Sequence, residues 1–255
     1  MTRQIPNFFT LLNLLFGCLA IVFILQNGIA IRVDADGAQF IDIPEKIWLA
    51  SLFIGLAALV DFLDGFVARF FKTASLMGKE LDSLADLVSF GVAPSMIIYQ
   101  LLRMSLAKEQ EGIDSSIMWL LPAFIYACCG AWRLARFNLD ETQSKVFKGV
   151  PIPAAGLVIA SLPLIYWSEH GATLNNLLTN KWVLYLFIAV LSWLMISHLP
   201  MMALKFTEWG IKNNLPKIIL LAAAIPAVLL FHWLAVPLVF MLYIILSLSF
   251  KQPQS

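Results

Sequence analysis

Apolar runs of membrane-spanning length recur along almost the whole chain, near residues 8–25, 47–70, 79–103, 118–137, 151–168, 182–199, 216–231 and 233–250. About 20 mostly apolar residues are needed for a helix to cross the hydrocarbon layer. Inside that layer a segment must satisfy its own backbone hydrogen bonds, which a helix does. The expectation is therefore an all-α polytopic membrane bundle of about eight transmembrane helices. Six form a core within residues 1–200, and residues 201–255 supply a C-terminal pair. Only His232 and Trp233 separate the last two runs, so they make a tight hairpin or one broken span. The first run has no A-x-A cleavage signal and continues past Cys18 to Leu25, as a retained helix does.

Composition agrees. Apolar residues make up 60% of the chain and charged residues 13%, with a mean hydropathy of +0.84. Soluble domains carry about 25% charged residues. A soluble enzyme, a disordered chain and a nucleic-acid module are thereby excluded, and a net charge of +1 provides no field for polyanions. Cys18, Cys128 and Cys129 form no disulfide framework and read as small apolar packing residues.

With the N-terminus in the cytoplasm, the inner ends hold Arg3, Arg69, Lys72, Lys79, Arg133, Arg136, Lys145, Lys148, Lys205, Lys212, Lys217 and Lys251. The outer ends hold Arg32, Lys46, Arg103, Lys108 and Lys181. Twelve against five follows the positive-inside rule and fixes the expected orientation. The acidic outer segment 27–46, with Asp34, Asp36, Asp42 and Glu45, reads as a solvated loop. His170, His198 and His232 are scattered near span ends without metal-ligand spacing, and Trp119, Trp182 and Trp233 suit interfacial anchoring.

Against this apolar background stand Asp61, Asp64, Asp82 and Asp86. Each intramembrane Asp costs about 2.5–3.5 kcal/mol on insertion scales. Arg69 alone cannot balance four. Helical spacing puts Asp61, Asp64, Gly65 and Ala68 on one arc, and Gly78, Asp82, Asp86 and Ser89 on another. An antiparallel pair hinged within residues 72–75 brings the four carboxylates to one depth, roughly 10–15 Å from the turn. Converging carboxylates suit hard divalent cations, Mg²⁺ or Mn²⁺, two of which commonly clamp a phosphoryl group. Gly65, Ala68 and Gly78 leave room for a ligand or for close helix packing. Ion-coupled transport and a purely structural role also place Asp in spans, and spacing alone leaves these readings open.

The pattern Asp61-x2-Asp64-Gly65-x2-Ala68-Arg69-x8-Gly78-x3-Asp82-x3-Asp86 resembles the signature of the CDP-alcohol phosphatidyltransferases, with all eight positions met. The stretches 78–94, 131–138 and 147–153, and the start Ile5-Pro6-Asn7 through Thr10 to Asn13, are similar to the serine-using branch of that family. The resemblance covers about residues 5–160. It implies transfer of a phosphatidyl group from CDP-diacylglycerol to L-serine, with release of CMP. It also implies a homodimer in the lipid bilayer and two divalent cations, Mn²⁺ or Mg²⁺, at the cytoplasmic side. Residue by residue, Asp61, Asp64 and Asp82 would be metal ligands, and Asp86 a ligand and the general base. Gly65, Arg69, Ser75 and Gly78 would contact the CDP-lipid, with Asn7 and Thr10 closing over the nucleotide. A compact chain of this kind is expected in a bacterial cytoplasmic membrane.

An amino-acid acceptor needs a cation for its carboxylate. Arg133 and Arg136, one turn apart at an expected cytoplasmic helix end with Asn138 beside them, are the candidates, and topology-setting charge is the plainer alternative. Competing functions are a sister transferase with another alcohol and an ion-coupled transporter.

Overall fold

The computed structural model describes residues 5–26, 30–33, 39–42, 46–71, 76–108, 116–140, 147–168, 172–202 and 211–250. The helices are α1 (Ile5–Leu25), α2 (Ile47–Phe71), α3 (Leu76–Asp86), α4 (Ala93–Ala107), α5 (Ile125–Leu139), α6 (Ile152–Trp167), α7 (Ala172–Leu178), α8 (Lys181–Ile196), α9 (Ile211–Phe231) and α10 (Ala235–Ser249). The protein is an all-α membrane bundle. Among the described residues five stretches are long and apolar enough to cross a bilayer: Pro6–Leu25, Ile47–Val67, Leu76–Ala107, Ile117–Leu139 and Asn214–Ser249. Eight were expected. The difference lies in α6 and α8, which at 16 residues each rise only about 24 Å against a hydrocarbon core of about 30 Å, and in the last two runs, which merge into one stretch.

Within that merged stretch the helix breaks at His232, which has a φ of +49°. Left-handed backbone is uncommon outside glycine, although histidine tolerates it better than most residues. The break lets α10 fold back and pack on α9. Of the acidic 27–46 segment, Asp34, Asp36 and Glu45 lie outside the described residues. The segment contains an antiparallel hairpin, β1 (Ala30–Val33) with β2 (Gln39–Asp42), in register from Ala30 opposite Asp42 to Val33 opposite Gln39.

The centre of the bundle is built on α4 and α6. Ile97, Ile98, Leu101 and Leu102 of α4, and Ile152, Ala155 and Ile159 of α6, are fully buried. A helix apolar on every face belongs inside. The peripheral helices α1, α2 and α9 instead present Leu11, Leu15, Leu59, Phe62, Leu229 and Leu230 outward, as lipid-facing surfaces do.

Between α3 and α4 runs a π-helical segment, Leu87–Val92. Its cause is Pro94. Proline has no N–H to donate four residues back and its ring crowds the carbonyl there. The Phe90 carbonyl is thereby freed, and the buried Tyr126 hydroxyl donates to it at 3.0 Å.

One end of the bundle is closed by chain connections. A two-residue ladder pairs β3 (Phe147–Lys148) with β4 (Pro200–Met201). Gly149, at φ +78°, donates its N–H to the Leu199 carbonyl at 2.9 Å. A Cβ there would collide with the Met195 carbonyl, so the turn requires glycine. At the other end Lys108 donates to Thr179 at 2.8 Å, and the Tyr185 hydroxyl to the Trp119 carbonyl at 2.6 Å.

Candidate active site

Two helices carry the aspartates and a third holds them. α1 packs against both α2 and α3, whereas α2 and α3 hardly approach each other along the main chain. Among the described residues α1 therefore joins the expected α2 and α3 pair, and acidic side chains of α2 and α3 converge. Residues 72–75, where the hinge was placed, lie outside the described residues, and with them Ser75.

Carboxylate oxygens of Asp61, Asp82 and Asp86 lie within 4.8 Å of one another. Asp86 is buried, and Asp61 and Asp82 are half-buried. Asp64, also buried, stands beside this trio. It interacts electrostatically with Asp61 and Asp82, and the Thr10 hydroxyl donates to its Oδ2. Asp86 accepts a hydrogen bond from Asn13 Nδ2 at 3.1 Å.

The spacing of α1 makes this possible. Thr10, Asn13 and Gly17 follow one another at three and four residues and so share a stripe. Thr10 reaches α2, and Asn13 reaches the last residue of α3. At Gly17 a Cβ would overlap the Ser89 side chain and backbone. Ser89 then donates to the Asn13 carbonyl at 2.9 Å. Ser89 thus faces α1 as Asp86 does, and helps lock that helix in place. The sequence by itself gives Asn13 no role. Its signal was a polar residue one turn after Thr10 within an otherwise apolar run.

The remaining expected residues fall into three groups. Asn7 lies one turn before Thr10, Gly65 adjoins Asp64, and Gly78 opens the turn before Asp82. The backbone of Arg69 continues α2, but its side chain lies outside the described residues.

On α5, Arg133 is 6% exposed, its guanidinium is 6.0 Å from the Phe137 ring centroid, and it interacts electrostatically with Asp86, Tyr126 and Tyr243. Its Nε has no hydrogen-bond partner among the described residues. Arg136 does not join it. It donates to the Ile196 carbonyl at 2.9 Å and the Ser197 carbonyl at 3.1 Å, satisfying the open end of α8. Asn138 donates to Ser83 Oγ at 2.9 Å, while Lys79 donates to the Asn138 carbonyl at 2.9 Å, so this pair ties α3 to α5.

Three clustered carboxylates repel one another, and water in a half-buried site screens them only partly. Lys79 is turned to the Asn138 carbonyl. The donor set is all oxygen, which suits Mg²⁺ or Mn²⁺. The residues present therefore fit a divalent-cation site.

Comparison with known proteins agrees with this geometry. A CDP-diacylglycerol–serine O-phosphatidyltransferase of Bacillus subtilis is 35% identical over 164 residues, 64% of this chain and 77% of the relative. A protein of the same name from Helicobacter pylori is 31% identical over 209 residues, 81% of this chain and 75% of the relative. The archaetidylserine synthase of Methanothermobacter thermautotrophicus is 38% identical over 128 residues, 48% and 50% of the two chains. The family model for CDP-alcohol phosphatidyltransferase matches residues 3–194, a range that contains every aspartate of the cluster and the α1 residues that hold them. This chain belongs to the CDP-alcohol phosphatidyltransferase family.

Proposed function

We propose that the protein transfers the phosphatidyl group of CDP-diacylglycerol to L-serine. The observation that carries this reading is the Asp61, Asp82 and Asp86 cluster, with oxygens within 4.8 Å of one another, inside the family-matched region of a chain similar to serine-using relatives. The serine hydroxyl oxygen forms a bond to the phosphorus that carries the diacylglycerol. The bond from that phosphorus to the bridging oxygen breaks, and CMP leaves with the electron pair. The hydroxyl proton passes to Asp86. A carboxylate placed to take that proton contributes typically 10²–10⁴-fold.

Asp61, Asp64, Asp82 and Asp86 would hold two divalent cations, Mn²⁺ or Mg²⁺. When bound, these supply positive charge against phosphate oxygens during displacement. Thr10 and Asn13 orient two of the four carboxylates. Gly65 and Gly78 leave space for the CDP-lipid, with Arg69 and Ser75 on phosphate and Asn7 over the nucleotide. Arg133 receives the serine carboxylate. Its burial and open Nε suit a buried anion. Arg136 caps α8 in this reading, and Asn138 positions α3.

The chain works as a homodimer with its N-terminus and its site on the cytoplasmic side of a bacterial inner membrane. Eight helices cross or enter the bilayer, residues 1–200 forming the transferase part and 201–255 the C-terminal hairpin. Lys79, Arg136 and Lys148 make their contacts at the aspartate end, which supports that orientation. One assay tests the function. CMP release by purified protein is expected only with CDP-diacylglycerol, L-serine and Mn²⁺ or Mg²⁺ together. Release with another alcohol but not with serine assigns a sister transferase, and no release with any alcohol favours transport.

A further inference from the structure

Asn13 is fully buried, and its two amide atoms are treated differently. Nδ2 donates to Asp86, and Oδ1 has no hydrogen-bond partner among the described residues. As a cation ligand Asp86 is ionised and only accepts, so the nitrogen must face it. The oxygen, on the same amide carbon, is about 2 Å from that nitrogen. An acceptor left open in a buried place normally costs free energy. Ser89 and Gly17 hold α1, and with it the backbone from which this side chain projects. Asp86 thus has as neighbours one open buried acceptor, Asn13 Oδ1, and one buried cation with an open Nε, Arg133.

These three groups match the three polar groups of a zwitterionic amino alcohol. Asp86 takes the hydroxyl proton and Arg133 the carboxylate, which leaves the ammonium group without a partner. We propose that Asn13 Oδ1 accepts a hydrogen bond from the α-ammonium group of the acceptor substrate, and so sets the preference for an amino acid over an alcohol lacking nitrogen. The proposal rests on the serine-transfer reading. Asn13 is also a positioning residue for Asp86, and the two roles separate by measurement. Displacing Asp86 lowers turnover for every acceptor alike, whereas losing the ammonium contact changes the ratio between acceptors.

The test uses full-length protein with Asn13→Leu, close in shape but without polar atoms, and Asn13→Ala, which removes bulk and overpacks nothing. kcat/KM is measured for L-serine and for 3-hydroxypropionate, which keeps the hydroxyl and carboxylate and lacks the ammonium. In both variants the preference for serine is expected to fall on the order of tenfold to a hundredfold, with the KM for CDP-diacylglycerol within about twofold of wild type. An unchanged preference overturns the proposal. So does a loss accompanied by an equal rise in the KM for CDP-diacylglycerol, which would place Oδ1 on the nucleotide. For a variant below the turnover limit, calorimetric L-serine binding with CMP and Mn²⁺ present decides: wild-type affinity overturns the proposal, and a tenfold loss supports it. Absence of serine-dependent CMP release in the wild type would refute the serine-transfer reading itself, a result distinct from an active wild type with an unchanged ratio in the variants.

Discussion

Among the described residues no side chain donates to Asp82, which shares the mutual reach of Asp61 and Asp86, whereas Asp64 leans on Thr10. Removing the Asp82 charge should therefore cost more than any other neutral substitution in the cluster. Asp82→Asn is expected to lower CMP release on the order of a thousandfold or more, and to weaken Mn²⁺ binding read by electron paramagnetic resonance. Full activity in that variant would remove the aspartates from catalysis. Arg133 is the second residue where burial forces a role, because a cation at 6% exposure needs an anion nearby. Arg133→Ala is expected to raise the KM for serine about tenfold or more and that for the CDP-lipid much less. Small, equal changes in both constants would mean that Asp86 is the only anion Arg133 serves.

The π segment decides how α3 meets its neighbours. A uniform α-helix from residue 76 to 107 would leave the carbonyl opposite Pro94 without a partner, and Tyr126 supplies one by donating to Phe90. Tyr126→Phe should then cost about 1–3 kcal/mol, measured as loss of resistance to denaturant in detergent, since it orphans a buried acceptor without changing shape. Activity per folded molecule should change little. The approach of α1 at Gly17 has the opposite signature. Gly17→Val places side-chain atoms inside Ser89, so it should push α1 away from the π segment and draw Asn13 and Thr10 off their carboxylates. Its turnover should fall well beyond its loss of stability, and equal losses would deny α1 a part in the site.

On the scale of the whole molecule, α10 is more than an appendage. The Tyr243 hydroxyl donates to the Met202 carbonyl at 3.0 Å, and Ser247 Oγ accepts from the Met202 N–H at 3.2 Å. Tyr243 also lies in the electrostatic surroundings of Arg133. The family match ends at residue 194, yet the last helix places Tyr243 in the electrostatic surroundings of Arg133. Deleting residues 211–255 should lower the unfolding temperature by roughly 5–10 °C, from the loss of these bonds and of packing against α6. It should also raise the KM for serine. Orientation is open to a separate measurement: in a cysteine-free background, a membrane-impermeant thiol reagent on intact cells should label Ala38→Cys and leave Ser144→Cys unmodified.

Much of this protein was legible locally. A lipid-facing helix must be apolar over its own length, and a metal-holding helix face must repeat every three or four residues, so hydropathy and the spacing of Asp61, Asp64, Asp82 and Asp86 sufficed for the class of fold, the acidic cluster and the family. Pro94 was also visible, although its consequence was not. What adjacent residues could not reveal depends on partners far apart in the chain. Asn13 meets Asp86 across 73 positions, Tyr126 meets Phe90 across 36, Arg136 meets Ser197 across 61, and Tyr243 meets Met202 across 41. No helical period encodes such pairings, because each follows from how several helices pack together. Tertiary structure therefore decided that α1 holds the aspartates, that Arg136 closes a helix while Arg133 is buried beside Phe137, and that the final helix reaches back to bond Met202.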